Sequence, residues 1–191
     1  MTEKTVTDGV IRIVMDATEE VVGENGLKAM LNFAKMPYLI ENKPNHGFDK
    51  KYTDEEYARI LHSYYDVLGV SGAKSIFRMI GRAIAKRTTG LGLFDTFKEL
   101  PPEERLLKSV DLYTQVSGRG RAFAENGVIV YDNTACSTCS GIESKAPVCT
   151  IVNGFLDDMA KWAGMAGKQS VETRCKAMGH ETCRYEVRDK A

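Results

Sequence analysis

The chain has 191 residues, enough to bury one hydrophobic core, and its 26 basic and 26 acidic side chains leave a formal net charge of zero, so no global field favours nucleic acid or an anionic membrane. No apolar run approaches the roughly 20 residues a spanning helix needs, and the start Met1-Thr2-Glu3-Lys4-Thr5 lacks the basic and apolar regions of a signal peptide. A cytoplasmic protein is expected, whose five cysteines are free, redox-active or metal-bound rather than paired as disulfides.

From Asp8 to Val22 the apolar residues Val10, Ile13, Val14, Ala17 and Val21 recur at helical spacing, until Gly23 and Asn25-Gly26 interrupt. A second helix follows from Leu27 to Met36. Pro37 ends it, and the stretch to Lys51, with Pro44 and Gly47, reads as an exposed loop. Thr53-Asp54-Glu55-Glu56 is a capping box that starts a helix bearing Tyr57, Ile60, Leu61, Tyr64 and Leu68 on one face. After Gly69 and Gly72 a further helix carries Ile76, Met79, Ile80, Ala83 and Ile84 and reads as well buried, ending near Thr88 to Gly92. Pro101-Pro102-Glu103-Glu104 opens the next, with Leu106, Val110 and Tyr113 inward.

Beyond Gly118 the period changes from helix to strand. Arg121 to Glu125, Asn126-Gly127 and Val128 to Tyr131 form a hairpin signal, because Asn-Gly adopts the positive φ angles of a two-residue turn. A helix from Val148 to Ala163 carries Ile151, Val152, Phe155, Leu156, Met159 and Trp162, and a last strand pair spans Gln169–Cys175 and Thr182–Arg188. N-terminal helices followed by an antiparallel sheet with an inserted helix give an α+β class. Residues 1–50 are expected to form a helical arm and 51–191 the main domain.

Several motifs carry little. Gly69-Val70-Ser71-Gly72-Ala73-Lys74-Ser75 ends like a phosphate-binding loop, but its glycines are too close and Lys74 does not follow the second; it and Gly118-Arg119-Gly120 read as turns. His46, His62 and His180 form no cluster. The cysteines are more informative. Cys149, Glu172, Cys175 and Cys183 offer three sulfurs and one oxygen, the donor set of a closed tetrahedral zinc site. His180, between Cys175 and Cys183, is an alternative fourth ligand. Glu172 and Cys175 point to opposite faces of a regular strand, so joint ligation requires a bend near Thr173 or Arg174; geometry alone leaves Glu172 between a ligand and a surface glutamate. Cys136-Ser137-Thr138-Cys139 is a possible redox pair or second metal site, and with Cys149 it offers three thiolates for an iron–sulfur cluster.

Cys149, then Asn153-Gly154-Phe155-Leu156, then Val171 to Val187 with Cys175, Gly179-His180 and Cys183, resembles the signature of the 4-vinyl reductase domain, a small-molecule-binding family that includes the sensor half of phenol-responsive regulators. The resemblance implies zinc held by three cysteines and a glutamate, here Cys149, Glu172, Cys175 and Cys183. It also implies the fold shared with transport-particle subunits and haem nitric-oxide sensors, dimerisation through N-terminal helices, and a pocket between hairpin and helices near the metal. Tyr131 stands roughly where an aromatic holds phenol in those regulators. Gly179-His180 departs from the usual Gly-Asp turn, and Cys136 and Cys139 are extra to the pattern. The expected activity is non-enzymatic sensing or carriage of a small hydrophobic or tetrapyrrole-like molecule, lined by candidates among Phe77, Ile80, Tyr113, Phe123, Tyr131, Phe155 and Trp162. Since no DNA-binding or ATPase segment follows, a signal is expected to pass to a separate protein partner.

Overall fold

In the computed structural model, which describes residues 3–190, β1 (Val6–Thr7) leads directly into α1 (Asp8–Phe33). The Thr7 hydroxyl accepts the Val10 amide at 3.3 Å and so satisfies a free N–H at the helix start. Gly23, at φ 75° and ψ 172°, breaks α1 into two helical runs, as its position in the sequence suggests. The segment to Lys51 differs from the expected loop. It folds α2 (Tyr38–Glu41) and then β2 (Lys50–Tyr52), which pairs antiparallel with β1. The cause is a close backbone approach: a Cβ on Gly9 would meet the Gly47 carbonyl oxygen at 2.5 Å, and the Gly9 amide donates to that oxygen at 3.0 Å. No side-chain periodicity announces such a contact.

The capping box forms as expected, with the Thr53 amide donating to Glu56 at 2.8 Å and the Glu56 amide to Thr53 Oγ1 at 3.1 Å. It opens α3 (Asp54–Gly90), whose single non-helical residue, Gly69 at φ 65°, makes a kink rather than a turn; Gly72 to Ser75 are helical, which removes the phosphate-loop geometry. Phe77, Ile80 and Ala83 face inward, but Met79 is 49% exposed, so the buried stripe is narrower than its apolar pattern. The chain divides into two compact units, Met1–Ile76 and Phe77–Ala191, and the division falls within α3.

In the second unit α4 (Pro102–Ser117) ends at Gly118 in the left-handed conformation. The hairpin of β3 (Arg121–Glu125) and β4 (Val128–Asn133) turns at Asn126-Gly127, with φ of 51° and 75°. Next come α5 (Thr150–Trp162), β5 (Lys168–Arg174) and β6 (Cys183–Asp189). The four strands form one antiparallel sheet in the order β3-β4-β6-β5, giving the expected α+β fold. From Ile151 to Ala160 α5 is buried all round, lying on β5 and crossing α3 where Gly81 and Gly154 stand. Its underside is pinned by polar groups. Asp157 accepts Arg78 Nη2 at 2.7 Å and the Ser170 amide at 2.8 Å, and the Ser170 hydroxyl donates to Asn153 at 2.8 Å.

Candidate metal centre

The sheet register builds the site in two rows. Tyr131 on β4 is level with Tyr185 on β6, which is level with Glu172 on β5. Asn133 is level with Cys183 in the next row. Along β6 the alternation turns Cys183, Tyr185 and Val187 inward, while Arg184, Glu186 and Arg188 pair with one another on the outer side. On β5 the register slips: Glu172 pairs with Tyr185 and Arg174 with Arg184, leaving Thr173 as an extra residue. This bulge converts the odd spacing of Glu172 and Cys175 into an effectively even one, so both are buried, at 8% and 0% exposure. The bend that the zinc set requires is therefore present.

Loops deliver the other sulfurs. Cys149 is the residue before α5, and its amide donates to Glu172 Oε2 at 3.2 Å. Cys136 and Cys139 bracket a short 3-10 turn, closed by the Cys139 amide on the Cys136 carbonyl at 3.2 Å. Arg119 holds this turn by donating to the Ala135 carbonyl at 2.7 Å and to the Ser137 hydroxyl. All five cysteines are buried and free. Cys139 Sγ lies 2.7 Å from Cys149, 3.4 Å from Cys175 and 3.5 Å from Cys183; Cys136 lies 3.2 Å from Cys149, and Cys149 lies 3.9 Å from Cys183. Read from sequence, Cys136-x-x-Cys139 and the zinc set are separate sites that compete for Cys149. The structure merges them into one cluster.

Burial and the closeness of the sulfurs to one another set the protonation of this cluster. Burial, and then the neighbouring Cys175, pushes the Glu172 carboxyl up to about 9. Cys139, with Cys149 and Cys183, holds the Cys175 thiol far below its ordinary range, whereas Cys149 and Cys183 are pushed up by their sulfur neighbours, Cys136 foremost. Several thiolates side by side in a dry site repel one another unless a metal neutralises them. Donor atoms of Cys149, Glu172, Cys175 and Cys183 lie within 4.8 Å of one another, as do those of Cys136, Cys139, Cys149 and Cys183. Zinc–sulfur bonds of about 2.3 Å space tetrahedral sulfurs by about 3.8 Å; the 3.9 Å between Cys149 and Cys183 matches this, and the closer pairs, down to 2.7 Å, would have to open around a single ion. The buried Glu172 Oε1 has no hydrogen-bond partner. His180 is exposed in the turn after Lys176–Met178 and is absent from both donor groups.

The candidate lining residues fall into three places. Tyr113 packs on Phe155 with ring centroids 4.5 Å apart and edge-on to Tyr131 at 6.2 Å, and Tyr131 stacks on Tyr185 at 5.8 Å. Phe123 instead lies under the guanidinium groups of Arg121 and Arg184, and Trp162 contacts Phe94 and Arg105. Phe77 and Ile80 are fully buried on α3. Sequence reasoning omitted Tyr185, whose hydroxyl has no hydrogen-bond partner and is pushed well above its ordinary pKa, by burial first and then by Cys149 and Cys136. Its spacing of two from Cys183 on an alternating strand was the available signal.

No family model matches the sequence, and no curated protein matches it. Solved structures do share the fold. An oxygen-binding H-NOX domain related to soluble guanylate cyclases superposes with a TM-score of 0.61 at 12% identity, over 97% of this chain and 96% of its own. An H-NOX protein from S. oneidensis in the Fe(II)NO ligation state gives 0.51 at 15% identity, over 94% and 99%. The phenol-responsive sensory domain of the transcription activator PoxR, solved with phenol, gives 0.54 at 17% identity, over 70% and 72%. At these identities the likeness establishes the fold, which is one that sensor domains use.

Proposed function

We propose that this protein binds a small hydrophobic or tetrapyrrole-like molecule without transforming it, in a domain of the 4-vinyl reductase type stapled by zinc. The observation that carries this reading is the convergence of five buried sulfurs and Glu172 in the sheet row beside Tyr131 and Tyr185. A closed metal site leaves no open position for chemistry and instead fixes the ends of β4, β5 and β6 and the start of α5. Cys149, Cys175 and Cys183 supply three ligands, and the 4-vinyl reductase pattern names Glu172 as the fourth. The aromatic row of Tyr113, Tyr131 and Phe155 forms a wall of the pocket, and binding draws on about 25 cal/mol per Å² of apolar surface buried, less ordering costs. PoxR with phenol and the H-NOX oxygen complex show that this fold houses small ligands in other proteins.

Native mass spectrometry of the full chain, followed by titration with phenol and with hemin, tests the reading. We expect one zinc per chain and binding of at least one probe, weakened tenfold or more by Phe155→Ala. A zinc-loaded chain that takes up neither probe sinks the ligand assignment. The same spectrum reads the homodimer that the N-terminal helices are expected to form. An iron–sulfur reading rests on Cys136, Cys139 and Cys149, but cluster ligands stand on separate irons with inorganic sulfide between them, a wider spacing than the 2.7 to 3.9 Å between these sulfurs. Brown protein with iron and sulfide after anaerobic purification overturns the zinc reading.

A further inference from the structure

Two overlapping groups of four donors, six residues in all, share Cys149 and Cys183, and one tetrahedral zinc uses four. Cys149, Cys175 and Cys183 are common to the reading above, so Glu172 and Cys139 contest the remaining position. The distances separate them. Cys139 Sγ touches all three shared sulfurs, at 2.7, 3.4 and 3.5 Å. The shared sulfurs in turn lie within 4.8 Å of one another, so these four thiols form a closed set, as Cys136, Cys139, Cys149 and Cys183 also do. Cys136 lies 3.2 Å from Cys149 and within 4.8 Å of Cys139 and Cys183, but outside the donor group that holds Cys175. Glu172 is engaged through Oε2, which accepts the Cys149 amide at the start of α5, while its Oε1 is buried without a hydrogen-bond partner. That N–H has no helical acceptor of its own.

The turn that carries Cys139 is built to hold it there. The Cys139 amide donates to the Cys136 carbonyl at 3.2 Å, the Ile142 amide donates to the Cys139 carbonyl at 3.1 Å, and Arg119 clamps the preceding loop at the Ala135 carbonyl. Formal charge does not choose between the rivals, since a thiolate and a carboxylate each carry one negative charge. Zinc accepts both, so proximity to the shared sulfurs decides.

We propose that the ion is held by four thiolates, Cys139, Cys149, Cys175 and Cys183, with Glu172 positioning Cys149 from outside the coordination sphere. This rests on the reading that the centre holds zinc, and it replaces the glutamate of the 4-vinyl reductase pattern. Cys136 then stands beside the centre as a fifth, uncoordinated thiol.

X-ray absorption at the zinc edge of the wild-type chain tests it directly: four sulfurs at about 2.3 Å are expected, and no oxygen at about 2.0–2.2 Å. In the cobalt-substituted chain, Cys139→Ser is expected to remove about a quarter of the sulfur-to-cobalt charge-transfer intensity per bound ion, as three sulfurs replace four. Cys136→Ser and Glu172→Gln are expected to keep it. Three sulfurs and one oxygen in the wild type, full intensity in Cys139→Ser, or two zinc ions per chain each overturn the four-thiolate centre while leaving zinc in place. A wild type that binds no zinc overturns the underlying reading as well, and metal analysis distinguishes that case. If Cys139→Ser does not fold, the wild-type absorption spectrum still decides.

Discussion

Asp157 shows how a single side chain orders the second unit. It is buried at the inner side of α5 and accepts hydrogen bonds from Arg78 on α3 and from the Ser170 amide on β5, at 2.7 and 2.8 Å. Truncation leaves a buried amide without an acceptor and a guanidinium without its partner. Because Arg78 keeps 38% of its side chain in solvent, the charge part is screened. Asp157→Ala is therefore expected to lower stability by about 1–3 kcal/mol, read from the urea midpoint. In the first unit, Asp8 plays a titratable part. The Lys51 ammonium, donating at 3.0 Å, and the Gly9 amide hold its carboxyl below the ordinary 3.8. A depressed folded value means the pair's stabilisation is complete above the unfolded value and is lost as pH falls through the folded one. The midpoint difference between wild type and Asp8→Asn should thus be constant above about pH 5 and shrink below about pH 4. A difference that grows on acidification contradicts the pairing.

At the scale of elements, α3 and α5 approach closely enough that side chains are excluded from the crossing. A Cβ on Gly81 would lie 1.9 Å from the Ile151 carbonyl oxygen, and one on Gly154 would lie 2.0 Å from that of Arg78. Both obstacles are backbone and cannot rotate away. Gly81→Ala and Gly154→Ala are each expected to cost about 1–3 kcal/mol, at the upper end of that range, with a lowered thermal midpoint as the readout. Neither glycine stands out in sequence, where Gly81 merely interrupts an apolar stripe. The elements themselves were more legible: the Thr53–Glu56 box, the Asn126-Gly127 hairpin and α5 are local patterns, and local patterns survive folding. What escaped was non-local. The β1–β2 pair depends on Gly9 meeting Gly47, and the merging of Cys136 and Cys139 with the other three cysteines depends on the register of four strands. The bulge at Thr173 lies between these cases, required by the ligand spacing yet visible only in the pairing.

At the scale of the whole molecule, the proposed zinc would act within one of the two units. The donors come from the end of β5 and the residue after it, the start of β6, the Cys136–Cys139 turn and the residue before α5, all within Phe77–Ala191. Removing such an ion would leave several buried thiols and a carboxyl facing one another, and the strand ends would lose a common anchor. Small metal-dependent domains unfold outright when stripped, but here the aromatic row and the buried face of α5 supply a core that is independent of the metal. Chelation is therefore expected to weaken the fold rather than abolish it. A loss of about 3–5 kcal/mol lowers the thermal midpoint by roughly 6–20 °C at this chain length. Hydrogen exchange resolves where the loss falls. Amides of residues 133–139, 148–152 and 175–183 should exchange faster without zinc, while those of β1, β2 and the first run of α1 keep their protection. Uniform acceleration across both units would show instead that the metal governs the entire fold, and no change at all would remove it from the structure's support.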